Sequence, residues 1–216
     1  MTEAAYELVI GDKRWSSWSL RPWLALKAFD IPFRETWIRL RHTGTSEEVA
    51  RHSPSGKVPL LKAGGLVIWD SLAIVEYVAE DQPGKAIWPA GRAKRAIARA
   101  VSAEMHSGFY ALRSAMPMDF LNVYAAGPVE EAVAADIRRI VELWRDCRAR
   151  FGDGGDFLFG PFSAADAMFA PVASRLRSYS VDLAAMGDDG TAARYVEALF
   201  GLKEMTEWAK SAALEA

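Results

Sequence analysis

Residues 6–21 read YELVIGDKRWSSWSLR, and they predict a strand, a turn and the first part of a helix. The apolar run at residues 6–10 favours a strand, which a glycine and an aspartate end. Over residues 19–29 the apolar side chains recur at helical spacing, and Pro22 is tolerated in the first turn of a helix. These residues therefore predict a βα unit.

The following segments continue this alternation of strands and helices. Residues 36–40 alternate in the manner of a strand, and the apolar runs 58–61 and 66–69 flank two glycines as in a hairpin. An aspartate or a serine then stands where it would cap another helix. The order is β-α-β, a variable segment, then β-β-α, which predicts an α/β domain over residues 1–81.

The remainder of the chain is predicted to be helical. Residues 82–89 contain a proline and a glycine and are typical of a linker, and no strand pattern follows them. Residues 90–216 are therefore expected to form an all-α domain. Its expected helices cover residues 90–116, 128–151, 164–178, 192–200 and 202–213.

Composition excludes several classes of function. The 216 residues carry 26 basic and 28 acidic side chains, so the chain lacks the basic excess typical of a nucleic-acid binder. One cysteine and three scattered histidines give neither a disulfide framework nor a metal-ligand pattern, so we expect no metal. No signal peptide and no apolar run of roughly 20 residues is evident, so we expect a cytoplasmic protein without membrane contact.

The turn before the first helix is a candidate anion site. Ser16 and Ser17 lie where free backbone N–H groups and the helix dipole favour negative charge. The alternative is that these serines only cap the helix, a position that serine prefers. Val58-Pro59 is a second candidate, because a cis peptide there would leave the Val58 backbone free to pair with an extended ligand. An ordinary trans proline at a strand start is its alternative.

A third candidate is Asp70-Ser71, at the start of the last helix of the α/β domain. The Asp70 carboxylate can accept an ammonium group, while the Ser71 hydroxyl and the helix dipole can hold a carboxylate. Together these two residues could clamp a zwitterionic amino-acid group. The alternative is again a helix cap.

Taken in order, these motifs resemble the glutathione transferases. Residues 157–160 and the stretch Ser163 to Asp166 extend the resemblance into the helical half, where they are similar to that family's capping box. The resemblance implies a thioredoxin-like first domain that binds glutathione as co-substrate, with no permanently bound cofactor. It implies that Ser16 donates a hydrogen bond to the glutathione sulfur, with Ser17 as the second choice.

The resemblance also implies where the rest of glutathione binds. Val58 would pair with the cysteinyl backbone, and Lys57 would reach the glycyl carboxylate. Asp70 and Ser71 would hold the γ-glutamyl end. A homodimer is implied as well.

The turn is similar to the signature of the zeta class, the maleylacetoacetate isomerases, but differs from it. Trp18 replaces a cysteine and Leu20 a tryptophan of that signature. Ser178 occupies the position of the substrate-binding arginine of that class, with Arg175 and Arg177 nearby. The turn is more similar to that of bacterial transferases with Ser-Ser-Trp-Ser-Leu-Arg-Pro-Trp.

The second-substrate pocket is expected between the two domains. His106, Tyr110 and Arg113 have the spacing of one helix face, and Trp18 is a candidate for the apolar side of the pocket. A buried histidine and a surface ion pair for Arg113 are the alternatives.

These residues predict a glutathione transferase that directs the thiolate at a small apolar electrophile. Two alternatives remain open: a glutathione-dependent cis–trans isomerase of the maleylacetoacetate type, and a protein that binds glutathione or apolar ligands without turnover.

Overall fold

The computed structural model describes residues 5–215. Residues 1–4 and 216, the outer ends of the two predicted domains, lie outside the described residues. The first half contains a sheet and three helices. Its elements are β1 (Tyr6–Gly11), α1 (Ser17–Ala28), β2 (Arg34–Ile38), α2 (Thr45–His52), β3 (Leu60–Ala63), β4 (Leu66–Trp69) and α3 (Ser71–Asp81).

The sheet has the strand order β2-β1-β3-β4. β1 pairs with β2 in parallel and with β3 in antiparallel orientation, and β3 pairs with β4 as the predicted hairpin. Side chains alternate across β1, so Leu8 and Ile10 join the main core while Val9 lies in a smaller cluster with Val49 of α2. β1 is therefore covered on both faces, as its apolar sequence requires.

The second half is helical within the described residues. Its elements are α4 (Arg92–Ser107), α5 (Tyr110–Ala115), α6 (Glu131–Phe151), α7 (Ala164–Ser178), a 3₁₀ turn (Ala184–Met186), α8 (Thr191–Phe200) and α9 (Lys203–Leu214). The predicted α/β unit followed by helices is confirmed. None of the helices in the described part of the chain combines the length and hydropathy that crossing a bilayer requires.

One detail of the sequence prediction is wrong. The helix expected over residues 90–116 is interrupted, because Phe109 adopts a left-handed backbone with φ 55° and a separate helix, α5, begins after it. Gly108 ends α4, where a side chain would collide with the carbonyl of Glu104, since a Cβ would lie 2.7 Å from its oxygen. The segment interpreted as variable contains α2.

The start of α7 is fixed by the buried carboxylate of Asp166. It accepts hydrogen bonds from the backbone N–H groups of Ser163 (2.8 Å) and Leu158 (3.0 Å). The hydroxyls of Ser163 (2.8 Å) and Tyr195 (2.9 Å) donate to it as well. The predicted capping box is present, and Tyr195 ties α8 to it.

Replacing Asp166 by alanine is expected to lower the free energy of unfolding by about 3 kcal/mol, because buried donors lose their acceptor. Tyr195→Phe, which removes one donor, should cost about 1 kcal/mol. The control is Asp146→Ala, whose exposed pair with Arg150 should contribute at most about 0.5 kcal/mol. Urea denaturation measures all three, and an Asp166→Ala effect no larger than that of the control would contradict this assignment.

Candidate active site

The turn between β1 and α1 places two serines at a helix start. The N–H groups of Trp15 and Ser16 donate to the carbonyl of Asp12, at 3.1 and 2.8 Å, and shape the turn. Ser16 occupies the N-cap position of α1, but its hydroxyl makes no capping bond. It donates instead to Ser19 Oγ at 2.7 Å. The first N–H groups of α1 are therefore not satisfied by Ser16, contrary to the capping alternative.

Ser17 lies between two arginines. Its carbonyl accepts from Arg21 Nη1 at 2.9 Å, and its hydroxyl accepts from Arg175 Nη2 at 3.2 Å. Because the Ser17 hydroxyl is the acceptor in that contact, its own proton remains available for another partner. Ser16 and Ser17 are 7% and 8% exposed, so only their edges reach solvent.

A cleft of about 440 Å³ lies beside this turn. It brings together six of the candidate site residues predicted from the sequence, from both halves of the chain, whereas Ser16, Ser17 and Arg113 are not among its lining residues. Its lining comprises Trp18, Ser55, Lys57, Val58, Pro59, Trp69, Asp70, Ser71 and His106. Pro59 and Trp69 directly flank two of these candidates in the sequence, and Ser55 was missed because it belongs to no evident motif.

The loop before β3 forms one wall of this cleft. The Val58–Pro59 peptide is cis. Val58 precedes the paired residues of β3, so it lies outside the strand ladder. The Ser53 hydroxyl holds Lys57 by its backbone, donating to the Lys57 carbonyl at 2.7 Å and accepting from its N–H at 3.2 Å. The Lys57 side chain is exposed.

The opposite wall is the start of α3. Asp70 caps this helix, because its Oδ1 accepts from the N–H groups of Leu72 (2.9 Å) and Ala73 (3.3 Å). The second oxygen, Oδ2, lies 2.6 Å from His106 Nε2, which comes from α4. Ser71 is 1% exposed, and its hydroxyl has no partner within the described residues. An unpartnered buried hydroxyl costs free energy, which a ligand group at this position would recover.

The predicted second-substrate residues are separated by the break between α4 and α5. His106 packs edge-on against Trp18, with ring centroids 5.3 Å apart. Arg113 lies over Trp18 at 5.4 Å, and its Nη1 donates to the His106 carbonyl at 3.4 Å. Tyr110 is 76% exposed and does not line the cleft. The expectation that His106, Tyr110 and Arg113 share one helix face is therefore wrong.

A long connection after α5 packs against the same turn. The Asp119 carboxylate accepts from Arg14 Nε (2.7 Å) and Nη2 (3.1 Å), and the Phe120 N–H donates to the Arg14 carbonyl at 3.1 Å. Burial raises the pKa of Asp119, but the hydrogen bonds from Arg14, Tyr124 and Asn122 outweigh it and bring the pKa to about 2. This ionised contact fixes the turn from the side of the helical half.

A metal centre finds no support in the described residues. Over residues 5–215, no group of three or more His, Cys, Asp or Glu side chains is placed to hold a metal ion. Cys147 is buried, and burial raises the pKa of its thiol to about 12, so it is not a reactive thiolate.

Comparison with protein families explains why these elements occur together. Residues 15–81 match the glutathione S-transferase N-terminal domain, and residues 130–198 match the glutathione S-transferase C-terminal domain. The chain belongs to the glutathione transferase family. The sheet and first three helices are the thioredoxin-like part of this transferase fold, and the helices after them are its all-α part.

Several curated relatives are named maleylacetoacetate isomerases. The chain is 29% identical to the maleylacetoacetate isomerase of Rattus norvegicus over 171 residues, which cover 77% of this chain and 76% of that protein. It is 35% identical to the probable maleylacetoacetate isomerase of Caenorhabditis elegans over 111 residues, which cover 51% of each chain.

Solved structures share the whole fold. A glutathione transferase homolog from Burkholderia, solved with bound glutathione, aligns with a TM-score of 0.72 at 23% identity and covers 96% of this chain and 98% of that one. Poplar glutathione transferase F1 aligns with a TM-score of 0.73 at 16% identity, over 99% and 100% of the two chains. At these identities the likeness concerns the fold.

Proposed function

We propose that this transferase binds glutathione in the cleft beside the first βα turn and stabilises its thiolate for attack on an electrophilic carbon. The observation that carries this proposal is the start of α1, where no capping bond comes from Ser16 and where Ser16 and Ser17 directly precede Trp18, which lines the cleft. A free thiol with a pKa of about 8.5 is only a few per cent ionised at neutral pH. A hydroxyl donor and a helix N-terminus both favour the anion, so this turn can raise the reactive fraction.

Ser16 and Ser17 are the candidates for the hydroxyl that touches sulfur. The family resemblance favours Ser16, whose hydroxyl must then turn away from Ser19. The hydrogen bonds favour Ser17. Its hydroxyl accepts from Arg175 and keeps its proton free to donate, whereas the Ser16 hydroxyl already donates to Ser19. Separate variants of the two residues decide between them.

The remainder of glutathione fits the chemistry of the cleft walls. The γ-glutamyl ammonium would meet the Asp70 carboxylate, and its carboxylate would meet the unpartnered Ser71 hydroxyl at the start of α3. The Val58 backbone, which lies outside the ladder, would pair with the cysteinyl residue, and Lys57 would reach the glycyl carboxylate. Every polar end of the tripeptide then has a partner.

The second substrate would enter between Trp18, His106 and Arg113. The faces of Trp18 and His106 suit an apolar electrophile. Tyr110 contributes only if the substrate extends to the solvent-exposed surface of α5.

A glutathione-dependent isomerase is the second candidate, because of the names of the rat and nematode relatives. In that reaction the thiolate adds to the substrate and leaves again, so the product contains no sulfur. The zeta-class arginine position is here Ser178, which is buried and donates to the Asp119 carbonyl at 2.9 Å. A serine at this position supplies no positive charge for the substrate, and this favours the transferase. Mass spectrometry of the product separates the two candidates.

We also propose a homodimer. β4 is an edge strand whose side chains Leu66 and Val67 are 55% and 37% exposed. Apolar side chains grouped on an edge strand are typical of a covered surface.

Calorimetric titration with glutathione in two buffers of different ionisation enthalpy tests the proposed function. We expect saturable binding near neutral pH with release of a fraction of a proton, because the bound thiol becomes a thiolate. Binding without proton release would support a protein that holds glutathione without activating it. Absence of saturable heat at millimolar glutathione would contradict the assignment.

Of the variants Ser16→Ala and Ser17→Ala, the one that removes the hydroxyl in contact with sulfur should lower the conjugation rate roughly tenfold or more. Glutathione should still bind to both variants. The reference electrophile is an aryl halide assayed with each variant at saturating glutathione. Ser46→Ala is the matched control, because Ser46 is exposed on α2 and does not line the cleft. If both serine variants keep the wild-type rate, the turn does not activate the thiol.

Asp70→Ala and Asp70→Ser separate the two roles of Asp70. Serine also caps helices, so Asp70→Ser should retain most of the roughly 1 kcal/mol that Asp70→Ala loses in the free energy of unfolding. Both variants should weaken glutathione binding about tenfold or more, since both lack the carboxylate that meets the ammonium group. If Asp70→Ser binds glutathione with wild-type affinity, Asp70 only caps α3 and does not bind the ammonium group.

A further inference from the structure

Two arginines from opposite halves of the chain converge on Ser17. Arg21 lies on α1 and is 0% exposed, and Arg175 lies on α7 and is 4% exposed. Arg21 Nη1 donates to the Ser17 carbonyl, and Arg175 Nη2 donates to the Ser17 hydroxyl. Ser17 is thus held at both its backbone and its side chain by buried guanidinium groups.

The other donors of this pair go to neutral acceptors. Arg21 donates to the Met168 carbonyl at 3.1 Å and to the Met105 sulfur at 3.0 Å. Arg175 donates to the carbonyls of Met116 and Pro171, both at 2.9 Å. Both side chains are therefore well positioned, but none of these acceptors balances their charge.

The acidic residues around the turn already have other partners. Asp119 accepts from Arg14, Asp70 faces His106 and caps α3, and Asp166 accepts the donors at the start of α7. Within residues 5–215, no carboxylate lies within ion-pair distance of Arg21 or Arg175. Among these residues, the pair is therefore buried without a direct ion-pair partner, and the Asp70 carboxylate acts on Arg21 only from beyond that distance.

Arg113 adds a third guanidinium at the edge of this pair. Its Nε is buried and has no hydrogen-bond partner in the described part of the chain. Burial lowers the pKa of Arg175 to about 10, with repulsion from Arg113 as the next cause, and a group with this pKa is still charged at neutral pH. Burial also lowers the pKa of Arg21; repulsion from Arg175 and Arg113 adds to this effect, and attraction to Asp70 opposes it.

A buried cation without a counter-ion is costly unless an anion forms beside it. At this position the anion that the proposed function supplies is the glutathione thiolate, at the start of the helix that carries Ser17. A positive charge near a thiol lowers its pKa, and this effect is strong where water is excluded. The cost of burying the arginines is then recovered when the thiolate forms.

We propose that Arg21 and Arg175, with Arg113 at their edge, are positioning residues that supply the positive charge behind Ser17 and so hold bound glutathione as the thiolate. This inference rests on the proposed function. Arg175 also fixes the Ser17 hydroxyl as an acceptor toward the protein, which leaves its proton free to be donated to the sulfur. The pair acts through Ser17 and the start of α1, and no contact with substrate is assigned to it.

The test is a pH titration of the ultraviolet absorbance of the thiolate in the glutathione complex. Arg175→Met should raise the pKa of the bound thiol by about one unit or more, since methionine fills the site without charge. The conjugation rate at pH 7 should then fall about tenfold and recover as the pH rises, because thiolate forms again at alkaline pH. Arg175→Lys, which keeps the charge, should restore most of the thiolate.

The charged and titratable groups around this pair come from several elements. Arg113 on α5, Asp70 before α3 and Tyr179 at the end of α7 act on the two arginines, and His106 on α4 contacts Asp70. Arg177→Met is the matched control on the same helix as Arg175, because Arg177 is exposed and packs over Phe200 at 4.3 Å. It should leave the pKa of the bound thiol unchanged.

Arg113→Met keeps the proposal testable if Arg175→Met does not fold, since Arg113 is only half-buried. It should raise the pKa of the bound thiol in the same direction by a smaller amount. If the pKa of the bound thiol in Arg175→Met equals that of the wild type, this inference is overturned and the proposed function still stands. If Arg175→Met does not fold, the same result in Arg113→Met overturns it. Failure of the wild-type protein to bind glutathione overturns both.

Discussion

The packing of α1 between the sheet and α7 is the contact on which the rest of the structure depends. α1 is buried along most of its length, and α7 is buried at 14 of its 15 residues, many of them alanines that allow close approach. Arg21 joins the two helices through the Met168 carbonyl. Because α1 carries the serine turn at its start, the same contact fixes where the hydroxyls and the first N–H groups of the helix lie.

Several polar groups have both a structural role and a proposed role in the site. Asp70 caps α3 with one carboxylate oxygen and turns the other toward His106 and the cleft. Ser71 keeps a buried hydroxyl without a partner among the described residues at the same position. Asp166, in contrast, accepts four donors and has no capacity left for a ligand. Of these three residues, Ser71 therefore has hydrogen-bonding capacity left for a ligand, and Asp166 has none.

Local sequence predicts the elements well where patterning and capping agree. The hairpin, the α3 cap and the α7 capping box depend on neighbouring residues, so short stretches of sequence are enough to predict them. The break at Phe109 is not predictable in this way, because apolar periodicity continues through it while the backbone turns left-handed. The approach of Arg175 to Ser17 is equally hidden in the sequence, since the two residues are 158 positions apart and only tertiary packing brings them together.

The central claim is that the start of α1 is where the glutathione sulfur becomes a thiolate. A crystal structure of the wild-type protein with glutathione tests this claim most directly. We predict that the sulfur lies within hydrogen-bond distance of the hydroxyl of Ser16 or Ser17, with the γ-glutamyl group against Asp70 and Ser71. A sulfur directed into solvent, or glutathione bound in the opposite orientation along the cleft, would contradict the account.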